Sequence, residues 1–358
     1  MANEVIGYWD NITELGRATN SMLIPGVVEE NPFRNPFLDK APIAQAGGTG
    51  PSIKWLRSGS RSLETVQDFT LGEELQWSKG SNYTPVETSL KMCYKAIRLD
   101  NFVKDIYQTV NNYREMAMGE CETDCTLKIN QKFVYDDTNF NSKMFLGLHG
   151  WANLQEGATG RFSNLAIDAG EKGLSLWNLR QLKRSMPYGI DQWWMPGVIL
   201  DLISAAYEEK GFAGLASATA GAYAQITRTI DQGTGQTITK YADVQIIDTD
   251  YLVAEQANTG TSSTDPRLLY ATGTENYSIF GIKWGSIMGG SKGKVPGMCY
   301  AFGNTRGAGD FFKLDVFDKL PNFDGEGIRL INYGAPLLGS KLCLGRIRDI
   351  HADDAVTA

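Results

Sequence analysis

From Val86 to Ala96 the chain alternates strictly. Val86, Thr88, Leu90, Met92, Tyr94 and Ala96 form one phase, and Glu87, Ser89, Lys91, Cys93 and Lys95 the other. That is the period of a half-buried β-strand, and it predicts that the first phase faces a core. A weaker strand pattern runs from Ile53 to Phe69. Between the two limbs lies a polar, glycine-bearing tip, Gly72-Glu73-Glu74 to Lys79-Gly80-Ser81-Asn82. Residues 51–99 therefore read as a long β-hairpin, which is marginal alone and needs a partner surface. At Asp100-Asn101 the period becomes helical. Phe102/Val103, Ile106, Val110, Tyr113 and Ala117 are spaced by three and four, with Asp100 or Asn101 placed as the N-cap. The helix extends past Gly119 through Leu127 to Phe133, although that glycine costs about 1 kcal/mol relative to alanine and is where the helix would end or bend.

Residues 1–50 hold no sustained period. Pro25, Pro42, Gly47-Gly48 and the run Asn31-Pro32-Phe33-Arg34-Asn35-Pro36-Phe37 resist both helix and strand. Trp9, Leu23, Ile24, Phe33 and Phe37 are too apolar for a permanently disordered tail, so an extended arm that gains its order on another surface is expected. Beyond Phe145-Leu146-Gly147-Leu148, a helix is predicted from Ser175 to Ser185, ended by Pro187. A short apolar strand, Ile190 to Met195, follows. Pro196 then opens a helix to Lys210, with Val198, Ile199, Leu202, Ile203, Ala206 and Tyr207 on one face and Gly211 as its stop. Ala242–Asp248 and Tyr277–Met288 read as strands, with a Thr/Ser/Gly loop at Asn258–Thr264. Phe311–Phe317 and Ile328–Ile347 alternate again. The class is α+β, without a regular βαβ repeat.

Composition narrows the function. The 358 residues suffice for two or three domains. With 34 Lys+Arg against 41 Asp+Glu the net charge is −7, which argues against a protein that coats nucleic acid by neutralising phosphates but leaves a looser relation open. No secretory signal or apolar span is present, so a soluble protein made in a cytoplasm is expected. Five scattered cysteines, Cys93, Cys121, Cys125, Cys299 and Cys343, read as free buried thiols. The 39 glycines, against 12 prolines, concentrate in the second half and predict turns there.

Each candidate chemistry fails on context. Gly289-Gly290-Ser291-Lys292-Gly293 fits G-x-S-x-G, and Ser291, Asp310 or Asp315, then His351 follows the hydrolase order, but Val295-Pro296-Gly297 breaks the helix such an elbow requires. Gly293-Lys294 lacks both the following hydroxyl residue and the earlier glycine of a phosphate loop, and Gly303, Gly307 and Gly309 are wrongly spaced for a dinucleotide site. Cys121 and Cys125 stand at i and i+4, one face of a helix rather than half of a zinc site. Asp136-Asp137-Thr138-Asn139 and Asp324-Gly325-Glu326-Gly327 offer oxygens without a calcium-loop pattern and read as turns. Trp193-Trp194 suits a buried strand better than a sugar cleft. The histidines are His149 and His351 alone, and the carboxylate pairs Glu73-Glu74 and Glu208-Glu209 look solvated. No catalytic, cofactor-binding or metal-ligating residue is assigned; an enzyme is not expected.

The order of parts carries more than any motif: arm, polar-tipped hairpin, long helix, mixed body and closing strands. Projections that need partners mark interlocked oligomers. This order resembles the tailed-phage major capsid proteins of the Hong Kong 97-type fold, a family shared with encapsulins. The similar stretches are Tyr94 to Phe102, Phe145 to Leu148, Gly327 to Leu330, Pro336 to Leu338 and Leu342 to Leu344. The resemblance implies an N-terminal arm at 1–50, an extended loop at 51–99 and a peripheral domain with its spine helix at 100–187. It further implies an axial domain at 188–312 and return strands at 313–358. It also implies pentamers and hexamers of this chain in an icosahedral shell around double-stranded DNA, bound without sequence specificity. A portal, a separate scaffolding protein, decoration proteins, assembly in a host cytoplasm and a final place in the virion come with it. Some members join a loop lysine to a neighbour's asparagine; Lys79 with Asn322 or Asn332 would be the counterparts here, without an evident glutamate beside them. The alternatives are an encapsulin compartment, or a hydrolase or carbohydrate-active enzyme using Ser291 or the tryptophans.

Overall fold

A computed structural model of the chain describes residues 33–46, 52–60, 68, 70–74, 82–102, 113–154, 164–214, 226–230, 237–255, 276–287, 296–303, 311–321, 323–354 and 356. Strand β1 (Ile43–Ala46) follows a 3-10 turn at Phe37–Asp39. The region read as irregular arm thus ends in regular structure. Strands β2 (Ser52–Ser60) and β3 (Asn82–Ser89) form the expected hairpin, from Ser52 opposite Ser89 to Ser60 opposite Asn82.

The returning limb is two strands, not one. After Leu90 the chain leaves β2 and, as β4 (Lys91–Asp100), pairs antiparallel with β13 (Gly325–Leu338), from Lys91 opposite Gly334 to Asp100 opposite Gly325. Residues 101–102 are helical and the Phe102 N–H donates to Asp100 Oδ1 at 2.8 Å, as an N-cap would, while 103–112, with the expected Val103, Ile106 and Val110, lie outside the described residues. Helix α1 (Tyr113–Tyr135) passes through Gly119 without a break and ends two residues beyond the expected Phe133. Its Ala117, Cys121 and Cys125 pack on Ile97, Ile328 and Leu330, so the two cysteines share one buried helix face as their spacing predicts. Burial pushes the Cys125 thiol up to about 11, which keeps it protonated and inert.

Helix α2 (Leu148–Asn153) meets the end of α1 so closely that a Cβ at Gly147 would stand 2.8 Å from the carbonyl oxygens of Lys132 and Phe133. The glycine in Phe145-Leu146-Gly147-Leu148 is therefore fixed by backbone approach. Next come β5 (Ala166–Lys172), α3 (Leu176–Ser185), β6 (Gln192–Met195) and α4 (Gly197–Gly214), which runs through the expected stop at Gly211. Strands β7 (Ile226–Ile230), β8 (Thr237–Tyr241) and β9 (Val244–Asp248) follow. Ala242 and Asp243, expected in a strand, instead have φ of 49° and 67°. They form the two-residue turn that joins β8 to β9. The chain closes with β10 (Asn276–Ile282), β11 (Met298–Gly303), β12 (Lys313–Phe317), β13 and β14 (Leu344–His351).

Two sheets result. One has the order β1-β11-β13-β12, with β4 on the other edge of β13; the second has the order β5-β14-β10-β6-β9-β8-β7. Sheet membership cuts across the sequence spans, since β5 and α3 (within 100–187) join the second sheet and β11 (within 188–312) joins the first. On the second sheet, Leu179, Leu182, Ile199 and Ile203 of α3 and α4 cover the face that carries Trp193, Ile246, Ile279 and Ile347. The opposite face, with Trp194, Ile247, Phe280 and Ile282, shares one core with Ile129 and Phe133 of α1 and Trp151 of α2. Trp193 and Trp194 are both fully buried, on opposite faces, so they line no cleft. Among the described residues no helix is long and apolar enough to cross a membrane.

Candidate assembly surfaces

In β4 the predicted phase is inverted. Lys91, Cys93, Lys95, Ile97 and Leu99 are the less exposed set, and Met92, Tyr94, Ala96 and Arg98 the exposed one. The inward lysine is accommodated because Lys95 Nζ donates to Glu120 Oε1 at 2.9 Å and also bonds Asp124 on α1. The outward phase leaves Met92 53% and Tyr94 63% exposed. Direct cross-strand partners place Tyr333, Ile331, Arg329 and Gly327 of β13, and Lys313, Asp315 and Phe317 of β12, on that same outer face. Arg329 bonds Asp315 Oδ2 at 2.8 Å and lies 5.1 Å from the Phe317 ring centre. The outer face is thus an aromatic and cationic sheet surface, while α1 covers the inner one.

The hairpin has two unlike faces. On one, Trp55 and Arg57 turn toward the body. The Arg57 guanidinium lies 5.6 Å from the Trp55 ring centre and 5.5 Å from that of Trp151. Its Nε donates to Gly339 O at 3.1 Å and its Nη2 to Leu338 O. No carboxylate shares this pocket with it in those bonds, and burial draws the guanidinium down to about 10. The root of the hairpin is therefore clamped on the chain's own α2 and β13. On the other face stand Leu56 and Tyr83, 67% and 65% exposed, with Pro85 between them opposite Leu56. The Lys54–Glu87 pair at 3.1 Å beside them is solvated and contributes little.

Residues 33–46 take their order from their own chain, which corrects the expectation of an arm ordered only elsewhere. Phe37 is fully buried, stacked on Trp194 with ring centres 3.9 Å apart. The Leu38 N–H donates to Asn130 Oδ1 at 3.0 Å. Arg34 grips Asp250 Oδ1 through Nη2 at 2.9 Å and lies 3.0 Å from Asp248 Oδ2, and its bond holds the Asp250 carboxyl below its ordinary range. Strand β1 then adds in parallel to β11, Ile43 opposite Tyr300.

One buried polar cluster was not foreseen. His149 of α2 has its Nε2 3.0 Å from Glu255 Oε1, and Ser278 Oγ of β10 donates to Glu255 Oε2 at 2.8 Å. The Tyr135 ring stacks on the imidazole at 4.8 Å, and Phe280 meets its edge-on at 4.9 Å. The carboxylate stands between hydroxyl and imidazole, so no base touches a nucleophile here, and all three residues are at most 1% exposed. What the cluster does is tie α2 to the second sheet.

The remaining candidates divide cleanly. Ser291, Asp310, Gly293-Lys294, Lys79, Asn322 and the Asn258–Thr264 loop lie outside the described residues. Asp315 is paired with Arg329 on the outer sheet face, and His351 ends β14. Asn332 is buried; Tyr300 OH donates to its Oδ1 at 2.9 Å and its Nδ2 donates to Phe311 O at 2.8 Å, so its amide faces no neighbour. Asp324 sits in a turn, but Gly325 to Gly327 belong to β13. Asp137 forms a turn through the Asn139 N–H at 2.9 Å. Among the described residues no three metal-ligating groups converge.

Asp136 carries a testable charge. It is buried 3.7 Å from Lys132 Nζ, and burial pushes its carboxyl up to about 6. A raised carboxyl favours the fold below its unfolded value of about 4 and withdraws that contribution as pH rises through 6. Asp136→Asn is therefore expected to stabilise the chain by about 2 kcal/mol at pH 7.5 and to change little at pH 4, read from urea unfolding at both pH values. Equal effects at the two pH values would disconnect Asp136 from this titration.

The chain is thus two packed sheets with a helix laid across one of them, a clamped hairpin and a docked arm. No family model and no curated protein matches the chain. By structure it is similar to the holo-SrpI encapsulin complex from Synechococcus elongatus PCC 7942, with a TM-score of 0.60 at 9% identity over 97% of this chain and 98% of that one. It is similar to the capsid of cyanophage P-SCSP1u, with a TM-score of 0.55 at 9% identity over 92% of each chain. It is likewise similar to the capsid of the native GTA particle, with a TM-score of 0.53 at 10% identity over 93% of this chain and 94% of that one. The chain has the Hong Kong 97-type capsid fold.

Proposed function

We propose that this chain is the major capsid protein of a tailed phage, assembling through pentamers and hexamers into an icosahedral shell that encloses double-stranded DNA. The observation that carries the reading is the outward apolar phase of β4. A strand whose alternation marks it for burial exposes Met92 and Tyr94 in the single subunit, and the hairpin exposes Leu56 and Tyr83 nearby in sequence. Burying such side chains contributes about 1.5–3 kcal/mol each. The occupant we assign to the outer sheet face is the outer hairpin face of a second copy. In this reading the first sheet with α1 forms the peripheral domain and the second sheet the axial domain, the shell is the virion's, and portal, scaffolding and decoration proteins are its partners.

Leu56→Asp/Tyr83→Asp tests the contact. Both positions are exposed in the subunit, so its unfolding midpoint should hold within about 0.5 kcal/mol. Shells should be lost from electron micrographs, because docking would now bury carboxylates. Shells of ordinary size and yield would remove the hairpin from the interface. The second reading, an encapsulin-type compartment, is favoured by the likeness to the encapsulin complex. The contents of purified shells, DNA against a cargo protein, separate the two.

A further inference from the structure

The exposed face of α3 carries a tryptophan and two arginines on one stripe. Trp177, Arg180 and Arg184 are spaced by three and four residues, which places them within about 60° of arc on a helix. All three are exposed, Trp177 by 61%, while Leu176, Leu179 and Leu182 on the other side are buried. From Lys172 to Ile190 the sequence holds four cations, Lys172, Arg180, Lys183 and Arg184, and no acid. Many other cations of this acidic chain are committed to carboxylates: Arg34 to Asp250, Lys95 to Glu120, Lys283 to Asp191, Arg329 to Asp315 and Arg348 to Asp168. Lys183 is occupied too, donating to Ala242 O at 2.5 Å. Among the described residues Arg180 and Arg184 have no carboxylate partner. Cations in a last helical turn complement the helix dipole, which accounts for Arg184. It accounts for neither Arg180 nor an exposed tryptophan on the same stripe.

We propose that this face of α3 binds the phosphate backbone of nucleic acid. Guanidinium forks match phosphate oxygens, and an exposed indole beside them offers a stacking surface for an unpaired base. Two arginines per chain make a weak, local contact, which agrees with a net charge that argues against tight coating. The inference deepens the shell reading and rests on it only for where nucleic acid is met.

The test uses the full-length chain, in dissociated and shell form, with labelled single-stranded and duplex DNA oligonucleotides between 25 and 200 mM KCl as roughly the range over which phosphate contacts are read. Binding should weaken steeply with salt. Arg180→Gln/Arg184→Gln should lower the log–log salt slope by about 2 on both DNAs, and Trp177→Ala should weaken only single-strand binding, by about tenfold. Electron microscopy of the same samples reports shell formation independently, so failure of the shell reading is seen apart from failure of this one. Three results overturn the proposal: no binding by either form at the lowest salt, an unchanged salt slope in the double variant, or loss of shells with DNA affinity retained. The last would make the face a contact between copies of this chain.

Discussion

Phe37→Ala is expected to destabilise the chain by about 3–5 kcal/mol, the largest loss of any single side chain among the described residues 33–46. Phe37 is fully buried, and its ring lies between Trp194 of β6 and Phe133 of α1, at 3.9 Å and 5.4 Å between centres. Both neighbours are held by regular structure, so the site cannot collapse around alanine and the cavity term adds to the lost transfer energy. The backbone around it has further ties, with the Ala41 N–H donating to Phe37 O at 2.9 Å. Losing the ring should therefore loosen the whole segment. Urea unfolding reads the first effect, and new tryptic cleavage after Arg34 and Lys40 reads the second. A cost below about 1 kcal/mol with the segment still protected would mean that the arm is not anchored by this ring.

His149→Leu is expected to cost about 3 kcal/mol or more at pH 7.5, because it removes the imidazole that stands 3.0 Å from Oε1 of the buried Glu255 side chain. His149→Leu/Glu255→Leu should recover at least half of that loss, since two apolar groups replace the pair. The pH dependence follows from burial, which outweighs the attraction of Glu255 and Asp137 and adds to the repulsion of Arg346 in holding the imidazole below its ordinary value. The folded state then refuses a proton that the unfolded chain accepts at about pH 6.5. Stability from this group is present above that value and lost as pH falls, opposite in sign to Asp136. Acid unfolding series of the single variant, the double variant and the wild type check this. A double variant as unstable as the single one, or an unchanged acid slope, would contradict the assignment.

What was legible in the residues was whatever a local period fixes. The hairpin, the helix that ends at Tyr135, the paired cysteines on its face and the buried Trp193-Trp194 strand all come from patterns within a few turns or strand pairs. The inversion in β4 was not legible. Residues 86–96 alternate without interruption, yet at Leu90 the strand passes from β2 to a partner, β13, that lies far downstream, and the same parity turns from inward to outward. Strand β1 is only Ile-Ala-Gln-Ala, too short to show a period, and it exists because β11 offers an edge. Helix α4 passes Gly211 because one glycine costs only about 1 kcal/mol, too little to end a helix by itself. The His149–Glu255 pair carried no signal beyond the rarity of histidine, since its members meet only when α2 packs on the second sheet. Of the assembly surfaces, the hairpin was visible as a projection needing a partner; the sheet face that we assign to receive it was visible only in the structure.

The most direct test of the central claim is the assembly state of the purified full-length chain, by electron microscopy and light scattering at matched concentrations. The account predicts closed, many-copy shells. A single compact subunit at every concentration, with Leu56, Tyr83, Met92 and Tyr94 still open to solvent, would contradict it.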